Sequence, residues 1–398
     1  MGRATRTAFD ERKIAFQFIL LLGAVSLCGD VTYEGARSIT GPYMAILGAS
    51  AGIVGLVAGI GEFLGYALRL LSGYVADRSK AYWPLTIVGY GMMLSIPLMA
   101  LANHWEIAAL LVIIERMGKA IRSPARDAIL SHATKQVGRG LGFGIHEALD
   151  QAGALIGPLI FTAVILVKGD YRAGFTVLWI PALLTLGILL IARFKVPTPE
   201  KLEHAVIEQQ CDNPENRRLP KVFWLYTAFI LLSVCGFAHF QIISYHLKVK
   251  AIVSDAQIPV FYAIAMAIDG VVALIIGKAY DKRGLKTILT IPFLTVLIPF
   301  CAFSHSYWFV LGGMILWGAV MGIHETIMRA AIADLIPIER RGSAYGIFNT
   351  VYGTSWLIGA ALMGFLYDFN PQLIGAFVVV VELISLPLFF LVKKELIK

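Results

Sequence analysis

The sequence predicts an all-α polytopic membrane protein with twelve transmembrane helices in two pseudo-symmetric six-helix bundles. Of its 398 residues, 58% are hydrophobic and only 15% are charged, whereas about a quarter of the residues of a soluble domain are charged. Apolar runs of about 20 residues recur along the whole chain, and each is long enough to cross a ~30 Å hydrocarbon layer as a helix. Residue patterns of the first half also recur in the second half.

The apolar runs define the predicted membrane spans in chain order. They cover residues 14–46, 52–76, 83–102, 106–130, 139–167, 173–194, 221–248, 256–278, 285–304, 307–333, 342–367 and 371–393. We expect no cleaved signal, because the first run is far longer than the apolar region of a signal peptide. Basic residues such as Arg78 and Lys80 concentrate in alternate connections. The positive-inside rule therefore predicts a protein of the plasma (inner) membrane with both termini in the cytoplasm.

A long polar connection divides the chain into two predicted bundles, residues 1–194 and residues 221–398, joined by a cytoplasmic linker at 195–220. The two bundles are internal repeats. Gly73 stands four residues before Asp77 after the second span, and Gly277 stands four residues before Asp281 after the eighth. Parallel repeats of this kind are a transporter architecture, in which the substrate site lies near the middle of the membrane.

At these repeated residues the chain resembles the major facilitator superfamily, and the resemblance covers essentially its whole length. That family carries the signature Gly-x-x-x-Asp-Arg-x-Gly-Arg-Arg after its second helix. The matching residues are Gly73, Asp77 and Arg78 in the first copy and Gly277, Asp281, Lys282, Gly284 and Lys286 in the second, whereas Lys80 and Ala81 depart from it in the first. The resemblance implies that this loop closes the cytoplasmic side when the protein faces outward. The alternative is that Asp77 and Arg78 only cap a helix in water.

The fifth span resembles part of the family's antiporter signature. The matching residues are Gly144, Gly153, Gly157 and Pro158, while Phe161 and Thr162 stand where the signature has two glycines. Small residues at this spacing let a neighbouring helix approach closely, and a proline removes one backbone donor and bends the helix. The resemblance favours antiport, with symport as the open alternative.

Charged residues inside the spans are the predicted proton-coupling and substrate-binding groups. A charge at that depth is costly, so it usually faces the interior, pairs with another charge or marks a proton or substrate path. The first half contains Asp30, Glu34, Arg37, Glu62, Arg69, Glu115, Arg116, His146, Glu147 and Asp150, and the second half contains His239, Asp269, His324 and Glu325. Helical spacing places Asp30, Glu34 and Arg37 on one stripe of the first span, and Glu147 and Asp150 on one face of the fifth.

Two interpretations of these groups remain open. In the first, a carboxyl group in a medium of low dielectric binds and releases a proton as water access alternates. Asp30 and Glu34 are the first choice, because the first helix lines the central cavity of similar proteins. In the second, acids are permanently paired with bases and hold helices together, with Glu62, Glu115, Glu147 and Asp150 paired with Arg69, Arg116, Lys119 and Arg37. The histidines also suit a divalent metal, but they lie on different helices at no fixed spacing, so no metal site is expected.

The expected function is secondary active transport of a small organic molecule by alternating access, with export in exchange for protons. The alternatives are proton-coupled uptake of an organic anion or metal chelate, and a non-transporting membrane sensor or scaffold. No catalytic or nucleotide-binding motif stands out, so neither an enzyme nor a cofactor is expected. The net charge of +8 indicates contact with anionic lipids rather than nucleic acid. The expected partners are the substrate, protons and membrane lipids, and a monomer is expected.

Overall fold

A computed structural model of the protein describes residues 2–199, 219–336 and 341–396, and every regular element in these ranges is helical. The α-helices are α1 (Gly2–Ile46), α2 (Ala51–Ser79), α3 (Tyr82–Met92), α4 (Ser95–Leu98), α5 (Trp105–Val137), α6 (Arg139–Lys168), α7 (Tyr171–Val177), α8 (Trp179–Lys195), α9 (Lys221–Cys235), α10 (Phe240–Val249), α11 (Gln257–Arg283), α12 (Thr290–Ala302), α13 (Tyr307–Leu335), α14 (Arg341–Phe369) and α15 (Gln372–Leu396). Two 3₁₀ segments, Met99–Leu101 and Gly284–Leu289, extend α4 and precede α12.

Helices occupy all twelve predicted spans. Nine segments of the described residues are long and apolar enough to cross a membrane. One of these segments, Gln257–Ala302, contains two predicted spans. The remaining two spans correspond to α5, of 33 residues, and α14, of 29 residues. These two helices have the length of a span and carry more polar residues.

Three spans are interrupted, which differs from the continuous helices that the sequence predicts. The breaks separate α3 from α4, α7 from α8, and α9 from α10, whereas the 3₁₀ segment Gly284–Leu289 continues directly into α12. Pro97 and Pro181 each stand third in the helix that follows a break. The first four N–H groups of a helix have no partner within it, so a proline costs no hydrogen bond there. The break between α9 and α10 has no proline.

The chain forms two compact units. The first unit comprises residues 1–36, 68–102 and 110–211, and the second comprises residues 37–67, 103–109 and 212–398. The predicted linker at 195–220 and the bundle boundaries on either side of it stay predictions, because residues 200–218 lie outside the described residues.

Buried aromatic and aliphatic side chains form the core of the first unit, which draws on α1, α3, α5 and α8. Phe18 and Trp83 meet edge to face there, with ring centroids 6.1 Å apart. Large apolar side chains are exposed as well, among them Phe194, Leu274 and Phe369. Such side chains are compatible with lipid around the helices, as expected for an integral membrane protein.

Candidate functional site

Two carboxyl groups of α1 lie in a layer of mixed charge in the first unit. Asp30 and Glu34 are one helical turn apart, and Glu34 is 5% exposed. Asp30 interacts electrostatically with the acids Glu34 and Asp150 and with the bases Lys119 and Arg122. Lys119 interacts with Glu34 as well. The acids of α1 therefore share a base, and Asp30 has an acid as well as bases among its neighbours.

Tyr33 connects this layer with the basic side chains of α5. Arg116 donates a hydrogen bond to the Tyr33 hydroxyl, and its guanidinium carbon lies 4.7 Å from the ring centroid. The Lys119 Nζ atom lies 3.9 Å from the same centroid. An aromatic face attracts cations, most strongly where water is excluded. Tyr33 thus orients two bases beside the two acids that flank it on α1.

Glu115 is a buried acid of α5 with two arginines beside it. It is 1% exposed, and its carboxylate oxygens lie 3.5 Å from Arg122 Nη1 and 3.9 Å from Arg116 Nε. The predicted partner Arg116 is present, but Arg122 is the nearer base. Arg122 also lies over the Tyr90 ring, with its guanidinium carbon 4.8 Å from the centroid. Glu115 and both arginines lie on α5, so these ion pairs form within one helix.

The fifth span presents its polar residues to different environments. The buried His146 places its Nε2 atom 2.9 Å from Ser26 Oγ, and Arg126 Nη1 donates to the same hydroxyl at 3.1 Å. Because the Ser26 hydroxyl accepts from Arg126, its own proton is available to His146 Nε2. Glu147 is exposed, whereas Asp150 is half-buried. The two acids therefore differ in exposure, and their predicted role in proton coupling stays a prediction.

The glycines of α6 bring it against α1. A Cβ atom added at Gly157 would lie 2.8 Å from the backbone nitrogen of Gly35, and one added at Gly153 would overlap the backbone oxygen of Leu27. Real side chains do not tolerate such distances, so these two positions require glycine for close helix packing. The space around Gly144 is open, and the structure gives that residue no part in the packing. Gly153, Gly157 and Pro158 are all buried.

The second unit contains a buried acid with two basic neighbours. Arg37 Nη2 donates to Glu62 Oε1 at 3.1 Å, and His239 Nε2 lies 3.7 Å from the same oxygen. These three residues are 8%, 6% and 0% exposed. The His239 Nδ1 atom accepts from the backbone N–H of Gln241 at 3.3 Å, so Nε2 carries the proton that faces Glu62. Arg37 of α1 therefore pairs with Glu62 of α2.

His239 lies at the break in the seventh span, which the sequence predicts as one helix. α9 ends at Cys235 and α10 begins at Phe240. The carbonyl of Ala238 accepts from Trp317 Nε1 at 2.8 Å, and the Phe237 ring stacks on Trp317 with centroids 5.4 Å apart. Discontinuous membrane helices place polar backbone groups at transport sites. Gly236 is the one local sign of this break, and a single glycine does not predict it.

The remaining acids and histidine of the second half lie on α11 and α13. His324 is 1% exposed and lies edge-on to Phe237; neither of its ring nitrogens hydrogen-bonds another described residue. Asp269 is buried against Gly322. Glu325 is half-buried. The lining of a recess of about 10 Å³ includes Tyr66, His324, Glu325, Phe348 and Tyr352. Within the described ranges, no three His, Cys, Asp or Glu residues are placed to hold a metal ion.

The residues of the predicted cytoplasmic loop are exposed. Asp77 and Asp281 both face outward from their units, and Asp77 forms no hydrogen bond or ion pair with a described residue. Arg78 Nη1 donates to the hydroxyl of Tyr74 at 3.0 Å. The glycines of the two copies have similar surroundings, since a Cβ at Gly73 or Gly277 would lie 3.6 Å from the nearest side-chain atom. The closing role of Asp77, Arg78, Gly277, Asp281 and Lys282 stays a prediction.

Another acid, Asp368, forms hydrogen bonds at the opposite end of α2. In the second unit, Asp368 at the end of α14 accepts from the backbone N–H groups of Ala51 at 3.0 Å and Gly52 at 2.8 Å. A carboxylate at this position satisfies unpaired donors and complements the positive end of α2. Further along α2, Gly55 and Gly59 pack against the backbone of α14. Sequence reasoning missed Asp368, because an acid at a helix end resembles any solvated acid.

A helical membrane protein with interrupted spans and buried layers of charge has the form of a secondary transporter. The sequence matches the Major Facilitator Superfamily over residues 22–299 and 248–396, and the chain belongs to that family. It is an integral membrane transporter with twelve transmembrane helices in two six-helix bundles, as the sequence predicts.

The comparisons extend along nearly the whole chain. The chain is 42% identical over 393 residues to Rv2265 of Mycobacterium tuberculosis, covering 98% of this chain and 95% of the relative. It is 25% identical over 358 residues to the multidrug resistance protein MdtH of Proteus mirabilis, covering 87% and 83%. The structure of the nucleoside transporter NupG matches with a TM-score of 0.73 at 16% identity, covering 94% of this chain and 100% of NupG. The last match is a likeness of fold.

Proposed function

We propose that the protein exports a small organic molecule in exchange for protons. The observation that carries this proposal is the charge layer of the first unit, where Asp30 and Glu34 share Lys119 and where Asp30 also interacts with Asp150. A carboxyl group with another acid beside it gains more from protonation than one paired with a base alone. The relative MdtH, a multidrug resistance protein by name, supports an organic substrate.

In the proposed cycle, substrate and proton compete for the acids of α1. When the layer opens toward the outer, more acidic solution, protonation of Asp30 or Glu34 weakens binding of the substrate and frees Lys119. When the layer opens to the cytoplasm, the proton leaves and the substrate binds. Binding of either partner thus excludes the other, and this competition couples the two movements.

Contacts at the helix ends support a cycle of alternating access. Asp368 caps α2 at the end that the positive-inside rule places outside, whereas Asp77 at the opposite end of α2 is exposed. In the proposed cycle, each of these two acids has a partner while its own side of the membrane is closed and is solvated while that side is open.

A second candidate function is uptake of an organic anion together with protons. It is favoured by the bases around the same layer, because Arg116 and Lys119 both lie against the Tyr33 ring and can attract a carboxylate. The two functions differ in the direction in which the substrate moves relative to the proton. A pH gradient imposed on proteoliposomes therefore separates them.

We expect Asp30→Asn and Glu34→Gln each to abolish transport driven by a pH gradient while leaving the protein folded. The amide has the shape of the carboxyl group and cannot release a proton. The assay uses proteoliposomes with acid inside, ethidium as a probe organic cation and carboxyfluorescein as a probe anion. Glu106→Gln is the matched control, because Glu106 is exposed at the start of α5. If both variants couple substrate and proton movement normally, the acids of α1 do not carry the coupled proton and the proposal is wrong.

A further inference from the structure

Glu382 is a buried acid that lies outside the charge layer of the first unit and outside the cluster of Arg37, Glu62 and His239 in the second unit. It lies in α15, the helix of the last span, and is 1% exposed. It interacts with no described Lys, Arg or His, and the one titratable side chain beside it is the thiol of Cys235. An ionised carboxylate buried without a cation is strongly unfavourable, and such a group takes up a proton instead.

The contacts of Ser385 with Glu382 are those of a neutral hydrogen-bond donor. Ser385 Oγ donates to the backbone oxygen of Glu382 at 2.8 Å and to its Oε2 atom at 3.1 Å. These two oxygens share the single hydroxyl proton of Ser385, which brings no positive charge. The contact therefore does not supply the cation that an ionised carboxylate would need.

The other carboxyl oxygen lies against the break in the seventh span. A Cβ atom added at Gly236 would lie 2.8 Å from Glu382 Oε1, so this oxygen faces the first residue after α9. Oε1 forms no hydrogen bond with a described residue. Ser233 of α9 also lies beside the carboxyl group, but its hydroxyl is neutral, so a carboxylate oxygen would carry charge there without a cation among the described residues. Glu382 is thus suited to the break only while it is neutral.

We propose that Glu382 is a proton-binding site that holds the break between α9 and α10 in place from the side of α15. The bound proton keeps the carboxyl group neutral against Gly236, and its loss to water would charge the group and displace the break. His239 and the carbonyl of Ala238 lie in the same break. A displacement of the break would therefore move these polar groups of the second unit. The proposal goes beyond the proposed export function, because the proton would be held whether substrate moves with or against protons.

Infrared difference spectroscopy on the purified full-length protein tests the proposal. At neutral pH, the wild type should show a C=O stretching band of a protonated carboxyl group that is absent from Glu382→Gln. The exposed-acid control Glu106→Gln should keep the band. An unchanged band in Glu382→Gln shows that Glu382 is ionised and overturns the proposal, whatever the outcome of the transport assays.

A second variant keeps the test decisive if Glu382→Gln does not fold. Ser385→Ala removes the hydroxyl that donates to Oε2, so the C=O band of the neutral carboxyl group should shift to a higher frequency. Thr354→Ala is the matched control, since Thr354 also directs its hydroxyl to a backbone carbonyl within a helix, at 2.8 Å. A band at the same frequency in Ser385→Ala and the wild type would contradict the assigned hydrogen bond and with it the neutral carboxyl group.

Discussion

Glu62→Gln is expected to abolish transport and to lower the free energy of unfolding by about 3–5 kcal/mol, the cost of breaking a buried ion pair from one side. The reason is the burial of its partner. Arg37 is 8% exposed and donates to Glu62 at 3.1 Å, so loss of the carboxylate leaves a guanidinium charge inside the protein with weaker compensation. The Nε2 proton of His239 then faces a neutral amide oxygen, which is a weaker acceptor than the carboxylate. Both effects act at the break in the seventh span.

The double variant Arg37→Met, Glu62→Leu separates stability from function. Replacement of a whole buried ion pair by apolar side chains is often neutral for stability, so this variant should recover most of the lost free energy of unfolding and remain inactive. Denaturant unfolding in detergent and the proteoliposome assay give the two readouts. Glu106→Gln again serves as the exposed control. If Glu62→Gln has wild-type stability, the pair is not the buried contact that we describe.

Gly55→Leu is expected to prevent closure of the outer end and to reduce transport to background. Even a Cβ atom at this position would overlap the carbonyl oxygen of Ala360 on α14, so a leucine side chain cannot be accommodated without separating α2 from α14. The separation should also break the two hydrogen bonds to Asp368. Unlike the ion-pair variant, this substitution should act mainly on the conformational equilibrium.

Gly65→Leu is the matched control, because Gly65 lies on the same helix and a Cβ atom there meets nothing within 4 Å. Closure is measured by the reaction of a cysteine placed at the buried Val54 with a membrane-impermeant maleimide, above the background of native cysteines. The reaction should be fast in Gly55→Leu and slow in both the control and the wild type. Slow reaction in Gly55→Leu would show that the α2–α14 contact does not close the outer end.

The positions of the spans and the acids of α1 are predictable from sequence, because length, hydropathy and helical spacing are local properties. Asp30 and Glu34 are recognisable in the sequence as charges within an apolar run, and the structure places both beside bases. The pairing of Glu62 with Arg37 is not predictable in this way. Arg37 lies on a different helix from Glu62, and only the packing of α1 against α2 brings it to the carboxylate.

Glu382 and Asp368 show a second limit of sequence reasoning. Glu382 lies in the last span, where the polar residues near it in sequence are few, and its neighbours Ser233 and Gly236 come from a helix far away along the chain. Asp368 has the sequence context of a solvated helix end. Partners that lie far apart in the chain determine the role of both acids, so their roles emerge only from the folded structure.

The most direct test of exchange between substrate and protons measures both movements in the same vesicles. Purified protein is reconstituted in proteoliposomes with an internal pH dye, an acid interior and ethidium outside. The account predicts that ethidium enters the acid vesicles while protons leave faster than in its absence, and that Asp30→Asn and Glu34→Gln lose both signals. Substrate movement that is indifferent to the gradient, or that follows the protons, would contradict it.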